Sequence, residues 1–301
     1  MILFPPAKLN LGLRIINKRE DGYHNLETLF LPIPLCDLLE VLPLNKQLVE
    51  EDKDRPAQPT RCHTTEEGDL FIESGILTEG KVENNTILKL LRLLRSEGYA
   101  IPPLYIELFK KIPFGAGLGG GSADATFAFR AIHSLFSLPL SHERSLTLLA
   151  KVGSDCPFFL YDTPMLAQGK GEVLESFSLS KEVLNSYLTL VKPPLAISTA
   201  EAYRAVPKYP QARGSLQKAL QQPILTWKNH IKNDFEESLF PQYSKLSEIK
   251  EYLYLQGATF ALMSGSGSTL FALSRQPLAL SHETPLLKDC FIWQGAVQSP
   301  S

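Results

Sequence analysis

Five glycines lie within seven residues of this chain, and a serine follows them directly. Because glycine has no Cβ, its backbone amides stay uncovered and can adopt positive φ. Such amides bind phosphate groups when a helix N-terminus comes next. A serine hydroxyl at the same place can bond a phosphate oxygen or its metal ion. The segment predicts a phosphate-binding loop, made of Pro113, Gly115, Ala116, Gly117, Leu118, Gly119, Gly120, Gly121, Ser122 and Ala123.

Other glycine-rich structures compete with this interpretation. Gly115, Gly117 and Gly120 satisfy the G-x-G-x-x-G pattern of a dinucleotide fold, but the pattern alone is weak. A strand of that fold is continuously apolar, whereas residues 104–109 alternate, and the helix after the loop precedes a second predicted helix. A Walker loop would need Gly-Lys-Ser or Gly-Lys-Thr, which the segment lacks. A merely flexible loop is disfavoured by the strand and helix signals on either side.

Two charged residues outside the loop have the chemistry of phosphoryl transfer, which needs a group to orient the attacking hydroxyl and a cation. Asp155, in Gly-Ser-Asp-Cys-Pro, is the candidate base, and the alternative is an ordinary turn aspartate. Lys8 is the candidate cation, and the alternative is a solvated strand lysine. Lys8 and Asn10 share one face of a predicted strand. A lysine close to Asp155 would keep that carboxylate ionised.

Two aromatic residues, Tyr23 and His24, follow an Asp-Gly turn. The imidazole can exchange hydrogen bonds with a base or sugar, and the phenol ring can stack on an aromatic ligand. The alternatives are an incidental loop histidine and a tyrosine that merely packs. Cys156 stands beside Asp155, but a thiol nucleophile would need a nearby histidine, and the sequence places none there.

The composition excludes several classes of protein. The 301 residues, 44% apolar and 21% charged, are typical of a soluble globular chain of one large or two modest domains. A net charge of −2 gives no field that would attract nucleic acid or an anionic membrane. Neither a membrane span nor a secretory leader is predicted. The four cysteines show no C-x-x-C spacing, which favours free thiols in a reducing cytoplasm over a zinc site.

Hydrophobic periodicity predicts the elements that position these residues. Helices are predicted at residues 85–94, 123–136, 143–152, 215–225 and 243–256. Strands are predicted at residues 9–15, 25–31, 104–109, 259–264 and 269–273, with further strands and connections between 164 and 198. The glycine loop therefore lies between a strand and a helix. Residues 47–67 are polar and are predicted to form an exposed, irregular insertion.

Several short motifs, in order along nearly the whole chain, together resemble those of the GHMP kinases (galactose, homoserine, mevalonate and phosphomevalonate kinases). They are Ala7-Lys8-Leu9-Asn10-Leu11, Asp21-Gly22-Tyr23-His24, residues 113–122, Gly153-Ser154-Asp155-Cys156-Pro157 and Gly265-Ser266-Gly267-Ser268. Two positions, Ala123 and Asp124, depart from the usual pattern, so that one hydroxyl is lost and a carboxylate is gained. Family members often have Ser-Ser-Asn-Ala after the glycines, and here Asp124 introduces a carboxylate that either helps to hold Mg²⁺ or faces away.

The resemblance implies an α+β fold of two domains, with the site in the cleft between them. The N-terminal domain would have a ribosomal S5-like fold, bind ATP and cover residues 1–165. The C-terminal domain, residues 166–301, would be an α/β sandwich.

The resemblance also implies an ATP- and Mg²⁺-dependent small-molecule kinase. The phosphates of ATP would lie in residues 113–123 and its base near Asn85. Asp155 would take the proton from the substrate hydroxyl, and Lys8 would orient that hydroxyl and stabilise developing charge. The metal ligands stay open.

Within the superfamily, the motifs resemble those of kinases that phosphorylate the 2-hydroxyl of a cytidyl diphosphate sugar alcohol, in the non-mevalonate route to isoprenoids. Tyr23 and His24 would hold the cytosine, with Tyr203 as a second aromatic neighbour. Asn10 would contact the substrate near the reacting group, and Gly265 and Ser266 would support its diphosphate or the floor of the site.

Two alternatives remain. The first is a different GHMP kinase, whose substrate would have no nucleobase for the Tyr-His pair to hold. The second is a nucleotide sensor, which would need no catalytic base. The protein is expected to be a cytoplasmic monomer or homodimer that binds neither nucleic acid nor membrane.

Overall fold

The computed structural model describes residues 1–45, 60–77, 80–204, 206 and 214–297. The strands are β1 Ile2–Leu3, β2 Pro6–Lys18, β3 His24–Cys36, β4 Leu38–Pro43, β5 Thr60–Thr64, β6 Leu70–Gly75, β7 Leu104–Lys110, β8 Met165–Gly169, β9 Val173–Ser176, β10 Tyr187–Lys192, β11 Phe260–Met263, β12 Leu270–Ser274 and β13 Phe291–Ala296. The α-helices are α1 Thr86–Ser96, α2 Gly120–Phe136, α3 His142–Val152, α4 Lys181–Leu184, α5 Thr199–Arg204, α6 Leu216–Leu220, α7 Ile224–His230, α8 Asp234–Leu239 and α9 Ser244–Leu255. Within these described ranges, 3₁₀ turns cover Val82–Asn84, Cys156–Leu160 and Pro285–Leu287.

The chain divides into two compact units, each assembled from separate stretches of sequence. The first unit consists of Met1–Ala7, Leu35–Phe114 and Gly119–Leu160, and the second of Lys8–Pro34, Gly115–Leu118 and Tyr161–Ser301. The domain division predicted at residues 165 and 166 stays a prediction.

The first unit contains a five-stranded sheet with the order β1-β4-β7-β6-β5. Strands β6 and β7 run parallel, whereas β7 and β4 run antiparallel. A strand that feeds the glycine loop of a dinucleotide fold lies in a parallel sheet. The mixed pairing of β7 therefore argues against that alternative.

Three helices of the first unit pack together, and α2 also contacts β4. Asn85 is the N-cap of α1, since its side chain accepts the backbone N–H of Ile87 at 2.9 Å. The apolar face of α1 is buried, as its spacing predicts. Helix α2 begins at Gly120, three residues before the predicted start, so the last part of the predicted loop forms its first turn.

The second unit contains two four-stranded sheets, with the orders β2-β3-β8-β9 and β11-β12-β10-β13. Apolar residues of β2, β11 and β12 share one core with helices α8 and α9. The period-two alternation of residues 9–15 predicts a half-buried strand, whereas this part of β2 is buried on both faces. The prediction of a half-buried strand is wrong because Lys8 and Asn10 bond to buried partners.

Two local predictions need correction. Residues 47–59 of the predicted insertion lie outside the described part of the chain, but Thr60–Thr64 form β5, which pairs antiparallel with buried β6 and so satisfies its backbone. The helix predicted at residues 215–225 is divided into α6 and α7, because Pro223 has no N–H to continue α6. None of the helices within the described ranges is both long and apolar enough to cross a membrane.

Candidate active site

The glycine loop begins where β7 ends, at Lys110, and leads into α2 at Gly120. Gly115, Gly117 and Gly119 have φ of 58°, 71° and 71°, a conformation that side chains with a Cβ rarely adopt. At Gly117 a Cβ would also stand 2.2 Å from the carbonyl oxygen of Ser264. Glycine is therefore required at this position by both the backbone conformation and the close approach.

The start of α2 has the properties of an anion site. Gly119, its N-cap, offers no side chain to the first amides of the helix. The N–H groups of Gly120 and Gly121 have no acceptor within the helix, because they come before its first full turn. The positive end of the helix dipole lies at the same place. A Cβ at Gly115 would meet no atom of the described residues within 4 Å. The phosphates of a nucleotide fit these properties.

Lys8 is buried on β2, with 4% of its surface exposed. Its Nζ donates to Asn10 Oδ1 at 2.5 Å and lies 4.9 Å from the centre of the Phe30 ring. The alternative of a solvated strand lysine is therefore wrong. A buried ammonium is stable only where it is paired or hydrogen-bonded, so Lys8 is a positioned charge.

A chain of hydrogen bonds connects Asn10 to the glycine loop. The backbone N–H of Asn10 donates to Ser264 Oγ at 3.2 Å, and Ser264 Oγ donates to the carbonyl oxygen of Gly117 at 2.9 Å. The side-chain amide of Asn10 donates to Thr28 Oγ1 at 3.0 Å, which leaves Oδ1 to accept from Lys8. Sequence reasoning missed Thr28 and Ser264, whose roles depend on pairing between distant strands.

The predicted glycine turn is held beside Asn10. A Cβ at Gly265 would lie 3.1 Å from Asn10 Oδ1. Asn233, which the sequence did not single out, donates through Nδ2 to the carbonyl oxygens of Met263 and Gly265 at 2.8 and 2.7 Å. The second unit thus brings Lys8, Asn10 and Gly265 together.

Asp155 lies between the end of α3 and the 3₁₀ turn Cys156–Leu160, and it is half-buried. Its carbonyl oxygen accepts the N–H of Phe158 at 3.2 Å, and the N–H of Cys156 donates to Gly153 at 3.1 Å. Burial raises the pKa of the Cys156 thiol to about 12, so this cysteine is not a nucleophile.

Two of the predicted aromatic residues are stacked on each other. The His24 and Tyr203 rings lie 4.6 Å apart at an angle of 16°. Tyr23 is 62% exposed, and Lys170 Nζ lies 4.8 Å from its ring centre. Partial burial and the charge of Lys18 lower the pKa of His24, which favours a neutral imidazole at neutral pH.

Asp124, for which the sequence left two positions open, is buried inside the first unit. Its buried carboxylate accepts from Lys110 Nζ at 2.7 Å, and Lys110 also bonds to Asp37. Asp37 in turn accepts the N–H groups of Lys111 and Ile112, at 2.6 and 2.8 Å. One carboxylate oxygen of Asp124 is therefore engaged by Lys110, and its part in holding Mg²⁺ stays a prediction. In the described ranges, no three His, Cys, Asp or Glu side chains come close enough to hold a metal ion.

Known proteins share both the sequence and the fold of this chain. The family GHMP kinases N terminal domain matches residues 85–163, and GHMP kinases C terminal matches residues 215–281. A 4-diphosphocytidyl-2-C-methyl-D-erythritol kinase of Parabacteroides distasonis is 42% identical over 296 residues, which cover 98% of this chain and 99% of that protein. The chain belongs to the 4-diphosphocytidyl-2-C-methyl-D-erythritol kinase family.

Solved structures agree with the assignment to the 4-diphosphocytidyl-2-C-methyl-D-erythritol kinase family. A crystal structure of 4-(cytidine 5′-diphospho)-2C-methyl-D-erythritol kinase has a TM-score of 0.74 and 29% identity, and 98% of each chain is covered. Homoserine kinase from Cytophaga hutchinsonii, at 18% identity and a TM-score of 0.60 over 99% of this chain and 95% of its own, shares the fold alone. The predicted GHMP kinase fold and the predicted class, a small-molecule kinase, are confirmed.

Proposed function

We propose that this kinase transfers the γ-phosphoryl group of ATP to the 2-hydroxyl of 4-diphosphocytidyl-2-C-methyl-D-erythritol. The products are ADP and the 2-phosphate, an intermediate of the non-mevalonate route to isoprenoid precursors. The observation that carries the proposal is the hydrogen-bonded chain from Lys8 through Asn10 and Ser264 to Gly117, because it holds a buried cation against the backbone of the glycine loop.

The loop of residues 113–123 is proposed to bind the phosphates of ATP through its uncovered amides and the N-terminus of α2. The base of ATP is proposed to lie near Asn85, whose Oδ1 caps α1. Mg²⁺ would enter with the nucleotide, since this ion is commonly bound through substrate phosphates and few protein ligands. When bound, it would neutralise charge on the phosphates. Ser122 lies in the first turn of α2, where its hydroxyl could bond a phosphate oxygen.

Asp155 and Lys8 are proposed to carry the chemistry. The Asp155 carboxylate accepts the proton of the 2-hydroxyl while the oxygen of that hydroxyl attacks the γ-phosphorus. The bond from the γ-phosphorus to the β-γ bridging oxygen breaks. Lys8 orients the hydroxyl and stabilises the negative charge on the transferring group. The Asn10 side chain accepts a hydrogen bond from Lys8 and thereby fixes the position of the Lys8 ammonium group.

The acceptor is proposed to be recognised through its cytosine and its diphosphate. The exposed Tyr23 and the stacked rings of His24 and Tyr203 offer aromatic faces and a neutral imidazole to the base. Gly265 and Ser266 are proposed to support the diphosphate, and Ser266 Oγ lies 3.3 Å from the Thr199 hydroxyl.

The test is ADP release by the purified protein with ATP, Mg²⁺ and 4-diphosphocytidyl-2-C-methyl-D-erythritol, with homoserine and mevalonate in parallel. Turnover is expected with the cytidyl compound alone. Asp155→Asn should lower kcat by about 10²- to 10⁴-fold, the typical contribution of a general base, and still bind ATP. Turnover with homoserine or mevalonate would contradict the acceptor, and ATP binding without any turnover would favour a nucleotide sensor.

A further inference from the structure

Thr126, on the second turn of α2, contacts two backbone carbonyl groups through its side-chain hydroxyl. Its side chain is fully buried. Its Oγ1 lies 2.9 Å from the carbonyl oxygen of Ser122 and 2.9 Å from that of Cys156. A hydroxyl has one proton, so the two carbonyl oxygens share one donor.

The two acceptors belong to different parts of the first unit. The Ser122 carbonyl lies one turn back in α2, and a bond to it is the usual local bond of a helical threonine. The Cys156 carbonyl lies in the 3₁₀ turn that directly follows Asp155. The Thr126 hydroxyl therefore connects the first turn of α2 to the turn that carries Asp155.

The surroundings of this contact are tightly packed. A Cβ at Gly153 would lie 3.2 Å from Cys156 Sγ and 3.4 Å from Ser122 Oγ. Cys156 itself is fully buried. Because Asp155 directly precedes the 3₁₀ turn Cys156–Leu160, a small displacement of this turn would move Asp155 relative to Ser122 and the start of α2.

We propose that Thr126 is a positioning residue, whose hydroxyl holds the Asp155 turn in register with the start of α2. This rests on the proposed function, in which α2 binds the phosphates and Asp155 takes the proton of the acceptor. In-line transfer requires that the bound phosphates and the Asp155 carboxylate are correctly placed at the same time. Displacements of about 1 Å in such an arrangement can lower the rate about 100-fold. Thr126 acts only through Asp155 and touches no reactant.

Thr126→Val removes the hydroxyl and keeps the shape of the side chain. We expect its kcat to fall about tenfold or more, with KM for ATP within about twofold, since the loop amides are unchanged. Thr126→Ser restores the hydroxyl and should recover most of the kcat. Thr147→Val is the matched control, because Thr147 Oγ1 makes the same local bond, to Glu143 at 3.0 Å, on the exposed side of α3.

Hydrogen exchange of residues 153–160 provides a readout without turnover. The N–H groups of Cys156 and Phe158 are hydrogen-bonded within this turn, and we expect them to exchange faster in Thr126→Val than in Thr126→Ser.

Equal kcat in Thr126→Val and Thr147→Val would overturn the inference. So would an equal loss of kcat in Thr126→Ser, or a rise in KM for ATP with kcat unchanged. If the wild type turned over none of the acceptors, the proposed function would fail. Exchange would then decide alone: unchanged rates would refute the link between Thr126 and the turn, and faster rates would support it.

Discussion

Lys110, at the start of the glycine loop, is buried together with its two partners Asp37 and Asp124. Lys110 lies between Asp37 and Asp124, while the amides of Lys111 and Ile112 donate to Asp37. Removing Lys110 would leave the buried carboxylate of Asp37 without its cation, which typically costs about 3–5 kcal/mol. The cluster therefore fixes the last residues of β7 relative to the first turns of α2.

Asp124 predicts a dependence of stability on pH. Burial raises its pKa from an ordinary 3.8 to about 8. Between these two pH values, the folded state keeps a proton on Asp124 that the unfolded chain has lost. The stability that this proton contributes therefore falls as pH rises from about 4 to about 8. Asp124→Asn does not titrate.

We expect the free energy of unfolding of Asp124→Asn, relative to wild type, to increase across this window by up to about 1.4 kcal/mol per pH unit. The difference should level off above it. Urea denaturation of both proteins at about pH 5, 6.5, 8 and 9 measures this. A difference that stays constant with pH would show that Asp124 is ionised throughout.

At the scale of elements, the segments that lead into α1 and α2 contain the residues proposed to bind the nucleotide. The loop after β7 needs glycine where the chain turns to positive φ or passes another backbone closely. The junction before α1 needs a side chain that caps the helix, and Asn85 supplies it. Asn85 thus has a structural role in addition to the proposed contact with the base of ATP.

Substitutions at Asn85 separate these two roles. Asn85→Ala removes the cap and should lower the free energy of unfolding by about 1 kcal/mol, whereas Asn85→Ser keeps a capping oxygen and should lose much less. If Asn85 also contacts the nucleotide, both variants should raise KM for ATP. Thermal or urea unfolding and steady-state kinetics measure the two effects. A KM in Asn85→Ser equal to that of wild type would remove Asn85 from the proposed nucleotide site.

At the scale of the whole molecule, the order of the chain and the order of packing differ. Lys8–Pro34 lies early in the sequence but belongs to the second unit, where β3 pairs with β8. The register places Leu26 opposite Gly169 and Phe30 opposite Met165. The N-terminal part of the chain therefore depends on later residues for its strand pairing.

A fragment of residues 1–165 tests this dependence. It keeps β3 but loses all of β8 except Met165, which exposes a backbone edge and the buried faces of Leu29 and Phe30. We expect the fragment to aggregate or to lack a cooperative unfolding transition, with the full chain as the control. Size-exclusion chromatography and thermal unfolding followed by circular dichroism measure this. A monomeric fragment with a sharp transition would support a division at residues 165 and 166.

The sequence by itself determined the local features of this protein. Glycine spacing between strand and helix signals predicted the loop, and apolar periodicity predicted α1 with Asn85 at its start. These features follow from steric and hydrogen-bonding rules that act within a few residues. The family motifs also predicted the fold and the kinase class.

Only the tertiary structure decided which polar residues are buried together. The same alternation that predicted β2 suggested one solvated face, whereas Lys8 and Asn10 lie inside the fold, bonded to each other. Asp124 pairs with Lys110, and His24 stacks on Tyr203, through contacts between segments far apart in sequence. Such contacts depend on strand pairing and helix packing over the whole chain, because a buried charge or ring is stable only where the fold supplies its partner.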